Sequence, residues 1–474
     1  MACKLIIDTD PGVDDILAIL LACSASPEEI ELLLISVTYG NIDLQNCLRN
    51  VVSLFHHIEH ELTWREANGR ALGFETLLKS KPLVAVGTDH PLSDQLLMAD
   101  FFHGHDGLGG IHKTHPHMTP AETWRSMFQQ AEASKDPDEH VLDEEQHKKH
   151  ALFTPSKAPS SRELLRLLRE NEPDTVTIVA VGPLTNLALA AAEDPETFLR
   201  VKEVVVMGGN INEEGNVGPL PLKGSPPIEE PPFRLIKQPP GPLRDVLNNR
   251  NQITPVAEFN TFADSFAAAR LYALTSPNPR STMPPTPPAP PGQQADHPPP
   301  PFLAPYPAKL SRRLKVTLFP LDITHRHNLN RGEFRKVLDP LLEQKSPMAE
   351  WVDAFMSSTF KKVESLQQNI SGDAIALQLH DPLCIWYCMV DDPSQWNLIE
   401  DEDLRVESSG QWTRGMCVID RRTRKKREDD HEGEIPGDTG NWLSVRNGNR
   451  LRRCIGSPGE DLFGGFMLKR IFNL

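Results

Sequence analysis

Long apolar runs, an excess of positive charge and a regular cysteine pattern are all missing from this sequence. No stretch approaches the roughly 18 unbroken apolar residues of a membrane span, so no membrane partner is expected. Met1 leads almost directly into a strand-like run, without the basic and apolar regions of a secretory signal. Lys and Arg number 49 against 65 Asp and Glu, for a net charge of −16. That balance argues against a nucleic-acid binder, which needs a basic face. It suits an enzyme that handles a cation or a neutral solute. The seven cysteines are scattered and odd in number, and Cys384 and Cys388 have no matching pair elsewhere. Reduced thiols in a cytoplasmic protein are expected, without zinc. No internal repeat is visible.

What is present is a chain of 474 residues, 39% hydrophobic, long enough for one large domain with insertions. Four segments break the globular texture: a polar stretch at 127–160, Pro-rich stretches at 218–253 and 284–308, and a charged loop at 421–450. Elsewhere, short apolar runs alternate with helical patterns. Leu5–Ile7 reads as a strand and Glu31–Tyr39 as a second. Ile16, Ile19, Leu20 and Cys23 follow the helical i, i+3, i+4, i+7 spacing. "SRELLRLLREN" at 161–171 predicts an amphipathic helix, and "TVTIVAVGPLTNLALAAA" a strand, a turn and a helix. "VKEVVVMGGN" and "KVTLFPLDIT" supply two further strands. The alternation predicts an α/β fold with an open, mainly parallel Rossmann-like sheet and helices on both faces.

One stretch is chemically unusual. "DTDPGVDD" at 8–15 places Asp8, Asp10, Asp14 and Asp15 between a buried strand and the first helix. That rim is where open α/β sheets bind ligands. Asp14 and Asp15 alone could serve the positive helix end. Asp8 and Asp10, directly after a strand, call for a cation or a proton to relieve their repulsion. With only carboxylate oxygens on offer, the ion is hard, Ca²⁺ or Mg²⁺. An EF-hand loop is excluded, because Gly12 falls on its fifth position and no Glu on its twelfth. A haloacid-dehalogenase-like Mg²⁺ phosphatase remains a rival, since it too follows a strand with D-x-D, although Gly12 departs from its pattern.

Six further motifs follow in order: "VTYGN" at 37–41, "HGHDGLGG" at 103–110, "GPLTN" at 182–186, "VVVMGGN" at 204–210, "VAEFN" at 256–260 and "LHDPL" at 379–383. With "DTDPGVDD", they resemble the inosine-uridine-preferring nucleoside hydrolases, over roughly residues 5–465 apart from the insertions. The long Pro-rich extensions look like those of fungal, uridine nucleosidase-like members. The resemblance implies Ca²⁺-dependent hydrolysis of ribonucleosides, purine or pyrimidine, to ribose and free base. It implies Ca²⁺ ligands at Asp10, Asp15, the carbonyl of Val181 and Asp381, with Asp10 also the general base. Asp14, Asn41 and Asn260 then lie near the ribose 2′ and 3′ hydroxyls, and Asn216, Glu258 and Met207 face its 5′ side. His380 is the implied acid for the leaving base, and His103 helps close the pocket. Asp8 is left with a supporting hydrogen bond. A homodimer or homotetramer is implied as well. His56, His57 and the histidines of "HKTHPH" are expected at the surface.

The chain departs from the family pattern at 218–253, which separate Asn216 from Glu258 and Asn260. Either this is a surface loop, whose entropy grows slowly with length, or it is translated non-coding sequence. The second is favoured, because a long structureless loop inside a compact domain is uncommon. If the insert spoils the pocket, the protein is a non-catalytic nucleoside binder. Sequencing the spliced transcript separates the two origins of the insert.

Overall fold

The computed structural model describes residues 2–92, 96–120, 125–128, 152–216, 234–236, 255–285, 300–366, 370–390, 392–422, 424, 426 and 437–474. Nine strands form its main sheet: β1 (Cys3–Thr9), β2 (Ile30–Val37), β3 (Leu83–Val86), β4 (Thr154–Pro155), β5 (Val176–Ala180), β6 (Glu203–Met207), β7 (Val316–Phe319), β8 (Asn397–Glu402) and β9 (Leu451–Gly456). Their order is β8-β9-β7-β6-β5-β1-β2-β3-β4. Every neighbouring pair is parallel except β8 with β9. The α/β fold expected from the sequence is the one observed.

Alternation along β1 builds two cores. Leu5 and Ile7 join one apolar cluster, and Ile6 joins the other on the opposite face. The first face is covered by α1 (Val13–Cys23), α2 (Leu44–Ala67), α6 (Pro347–Leu366), α7 (His380–Met389) and α8 (Phe463–Phe472). The second is covered by α3 (Ser160–Glu170), α4 (Thr185–Glu193) and α5 (Ser265–Ala273). Burial on both faces explains why the central strands read as continuous apolar runs.

The connection after β1 runs to β2 on one side, and the connection after β5 runs to β6 on the other. The boundary between β1 and β5 is therefore the topological switch point, and a crevice opens there at the carboxyl ends of the strands. Asp8 and Asp10 leave β1 at that point, and Val181 leaves β5 beside them, with its N–H donating to the Asp8 carbonyl at 2.8 Å.

The segments read as insertions contribute locally. Thr154–Pro155, from the polar stretch 127–160, forms the edge strand, whereas 129–151 lie outside the described residues. Of 218–253, only Arg234–Ile236 is described, as a strand antiparallel to Leu96–Met98. The flanks of that insert meet: the Gly215 N–H donates to the Pro255 carbonyl at 2.9 Å. Of 284–308, residues 286–299 lie outside the described set, and Tyr306 is buried under the Arg270 guanidinium, 5.0 Å from its ring centroid. In the stretch 421–450, Asp438 and Asn449 are buried, and most of 423–436 lies outside the described residues.

One expectation is corrected. His57 is buried rather than at the surface. Its ring stacks on Trp351 at 4.7 Å, and Nε2 meets the Met118 carbonyl at 2.7 Å. It lies on the face of α2 that turns toward α6, where an aromatic ring packs as a large apolar body.

Candidate active site

The site is assembled from two helix N-termini. Helix α7 packs against α1, so Asp381 in the first turn of one meets Asp14 and Asp15 in the first turn of the other. Both helix ends offer partial positive charge to these acids. Carboxylate oxygens of Asp14, Asp15 and Asp381 come within 4.8 Å of one another. Asp10 lies outside that trio.

Asp15 is held by four protein donors. Oδ1 accepts from the Thr9 hydroxyl at 2.6 Å and the Asp10 N–H at 3.2 Å; Oδ2 accepts from the Gly12 N–H at 3.0 Å and Asn41 Nδ2 at 2.8 Å. Asp10 differs. Its Oδ2 accepts the Asn41 N–H at 2.7 Å, but its Oδ1 is buried with no hydrogen-bond partner. Burial raises the pKa of all four acids, and like-charge neighbours add to it at Asp10, Asp14 and Asp381. Asp14 is pushed up to about 7, and Asp10 and Asp381 well above the usual carboxylate range. An orphaned buried oxygen beside three crowded carboxylates fits a hard divalent cation.

Asp8 belongs to a separate network one layer below. Its Oδ1 accepts from the Ser36 hydroxyl and, at 2.9 Å, from Asn186 Nδ2. Burial raises its pKa to about 7. Asn186 also accepts the Thr88 N–H at 3.0 Å, tying the crevice floor together. Asn186 is the amide of "GPLTN", directly after the turn that follows β5, and that position is the local signal for its role.

The other predicted residues gather at the same rim. Asn260 Nδ2 donates to the Val181 carbonyl at 2.7 Å, so that oxygen already has a protein partner. Met207 is adjacent, its carbonyl 3.4 Å from the same amide. Glu258 is buried and accepts four bonds: from the N–H groups of Gly209, Asn260 and Thr261 at 2.6–2.9 Å, and from the Thr261 hydroxyl at 2.9 Å. Its carboxylate fixes the glycine turn after β6 and the short helix Phe259–Ala263. Asn216 is exposed, yet its Oδ1 accepts the Phe259 N–H at 2.8 Å, so it sits beside Glu258 despite the insert.

Two histidines lie beside the acid-bearing helix ends. His103 is buried against the start of α1, its Nδ1 accepting the Val13 N–H at 3.3 Å. This contact requires Gly12, where a Cβ would sit 2.6 Å from His103 Nδ1 and 2.8 Å from Asn41 Nδ2. His380 Nδ1 lies 2.8 Å from the Thr324 hydroxyl, with the His325 ring 5.4 Å away. Burial lowers both His103 and His380 to about 3, so both are neutral at neutral pH. Thr324 and His325, in the segment after β7, escaped the sequence analysis because nothing local links them to residue 380.

Gly182 shows how tightly Asp10 is enclosed, since a Cβ there would come 2.7 Å from the unpartnered Oδ1. Gly182→Ala is therefore expected to displace that oxygen. Turnover should fall about 10²-fold, the order seen for a small misplacement of a reacting group, and the crowded methyl should also cost about 1–3 kcal/mol of stability. Unchanged turnover would show that this oxygen does not face the chemistry.

Comparison with known proteins identifies the family. Residues 5–435 match the family model described as inosine-uridine preferring nucleoside hydrolase. The pyrimidine-specific ribonucleoside hydrolase RihA of Klebsiella pneumoniae strain 342 is 26% identical over 424 residues, covering 89% of each chain. Uridine nucleosidase 1 of Arabidopsis thaliana is 32% identical over 217 residues, which span 46% of this chain and 48% of the relative. Among solved structures, a plant nucleoside hydrolase superposes with a TM-score of 0.57 at 19% identity, covering 100% of this chain and 99% of the other. The chain belongs to the inosine-uridine preferring nucleoside hydrolase family, enzymes that hydrolyse N-glycosidic bonds.

Proposed function

We propose that this protein hydrolyses ribonucleosides to ribose and free base, with Asp10 as the general base and Ca²⁺ held by the buried acids. The observation that carries this proposal is the Asp10 carboxylate: one oxygen anchored by Asn41, the other buried, unpartnered and beside the acidic trio. Asp15 and Asp381 would hold the ion together with Asp10, or with Asp14, which lies closer to them. A bound Ca²⁺ supplies positive charge that offsets the carboxylates and eases ionisation of water in the site. Asp10 Oδ1, the buried oxygen with no protein partner, accepts the proton of the attacking water.

Asp14, Asn41 and Asn260 meet the 2′ and 3′ hydroxyls, which donate and accept together. Met207, Asn216 and Glu258 form the 5′ side, Glu258 by holding the backbone on which the others stand. The proximity of Asn216 to Phe259 supports an intact pocket with the insert present. Neutral His380, with Nδ1 against the Thr324 hydroxyl, presents Nε2–H to the departing base, while His103 closes the loop above. His380→Ala should therefore slow natural nucleosides about 10²-fold and a nitrophenyl riboside, whose leaving group needs no donor, far less. Equal losses on both would remove the donor role.

The named activities of the relatives cover uridine and pyrimidine nucleosides, so the test is reducing-sugar release from uridine, cytidine and inosine, with and without chelator. Ribose release that stops on chelation is the expected result. Phosphate release from a phosphomonoester instead would favour the Mg²⁺ phosphatase; Asp8, bound to Ser36 and Asn186, is poorly placed as its nucleophile. 2′-Deoxynucleosides should be turned over at least about 10⁴-fold less well, since a missing hydroxyl leaves buried polar groups unpaired.

A further inference from the structure

The loop that carries His103 has a second face. Away from the aspartates, it walls a cavity of about 750 Å³ between α2 and α6. None of the acidic trio lines this cavity. Three cationic side chains do: Arg49 from α2, Lys113 from the short helix after the loop, and Lys362 from α6. Phe102 adds an aromatic wall. In a chain of net charge −16, this is a local reversal of sign.

The one acid in the lining, Asp106, is committed to the loop itself. Its carboxylate accepts the N–H groups of Leu108, Gly110 and His112 at 2.8–3.0 Å. His112 is committed too, with Nδ1 2.6 Å from the Thr119 hydroxyl and Nε2 2.7 Å from Asn50 Oδ1. Arg49 is less satisfied. Its Nη1 donates to Asn46 Oδ1 at 2.9 Å, but its Nε is buried with no acceptor. The planar, permanently charged Arg49 guanidinium lines the same cavity as the Lys113 ammonium, and such a pairing of cations matches the oxygens of a phosphate. The volume falls within the range of small-molecule sites.

We propose that this cavity binds a phosphate-bearing small molecule, with Arg49, Lys113 and Lys362 around the phosphate. The site is separate from the proposed ribose pocket, and Asn50 joins the two. Its Nδ2 donates to the Pro11 carbonyl in the aspartate loop and to the Asp106 carbonyl in the cavity wall, both at 2.8 Å. A ligand in the cavity thus bears on the loop that seats His103.

The test is isothermal titration of the full chain with inorganic phosphate and with uridine 5′-monophosphate, in the presence of saturating ribose. Saturable binding that ribose does not displace is expected. Arg49→Gln combined with Lys113→Gln should weaken it at least about tenfold, as loss of charge-assisted hydrogen bonds requires. Turnover without phosphate should be unchanged in that variant, because neither residue touches the ribose pocket. Lys113→Gln alone, at an exposed position, serves if the double variant melts early. Tighter binding of the monophosphate identifies an ester as the ligand, and equal binding identifies free phosphate; both uphold the site. Failure of both anions to bind, displacement by ribose, or unchanged affinity in the variants overturns it.

Discussion

Asp10→Asn is expected to lower ribose release by about 10²–10⁴-fold, the range for loss of a positioned general base. The amide keeps the size of the carboxylate and can still accept the Asn41 N–H that holds Oδ2. What it loses is the capacity to take a proton. It also removes an ionisable group from a cluster where burial, then Asp15 and Asp14, disfavour its charged form. The cation-free variant should therefore melt no lower than the wild type. Steady-state kinetics on uridine, paired with circular-dichroism melts, check both halves. Wild-type turnover in a folded Asp10→Asn protein would remove Asp10 as the base.

Removing divalent cation is the second large perturbation. Chelation is expected to abolish turnover and to destabilise the fold, by more at pH 8 than at pH 5.5. The sign follows from the shifted carboxylates. An unfolded Asp titrates near 3.9, whereas folded, cation-free Asp14 titrates at about 7, and Asp10, Asp15 and Asp381 are raised as well. Between those values the native state binds more protons than the unfolded chain, so the chelated protein loses stability as pH rises toward 7 and beyond. A cation replaces those protons and cancels the loss. At about 100 times its Kd it adds about 2.7 kcal/mol of stability. By the same competition, cation affinity falls as pH drops below 7, because protons reclaim the same oxygens. Melting curves with and without chelator, taken across this pH range, measure the difference. A chelator effect that does not vary with pH would exclude the acid cluster as the binding site.

Much of this protein is decided by short stretches of chain. Apolar runs such as "KLII" and "EVVVM" can be satisfied only in a buried strand, and the 3.6-residue spacing after Asp14 commits that segment to a helix. A strand followed at once by a helix puts the intervening residues on the sheet rim wherever the unit sits. That is why Asp10, Asp14 and Asp15 read as a candidate ligand site from the chain alone, whereas Asp8 belongs to the network below them. The run of ordered motifs likewise carried the family, because each lies at the end of a strand or the start of a helix.

What the tertiary structure alone decided is how the acids divide their work. Asp15 and Asp10 are five residues apart, yet one is saturated by four donors and the other keeps a bare oxygen. The donors that make this difference come from the last residue of β1, the turn after it, and Asn41 after β2, and they converge only once the strands pair. Asp381 joins Asp14 and Asp15 because α7 packs on α1, a contact between distant parts of the chain. Asp8, unexplained in the sequence, is held by Ser36 across the sheet and Asn186 beyond it. Local sequence fixes where a side chain leaves the backbone. Which partner satisfies it depends on distances of a few ångströms between elements, and those are set by packing.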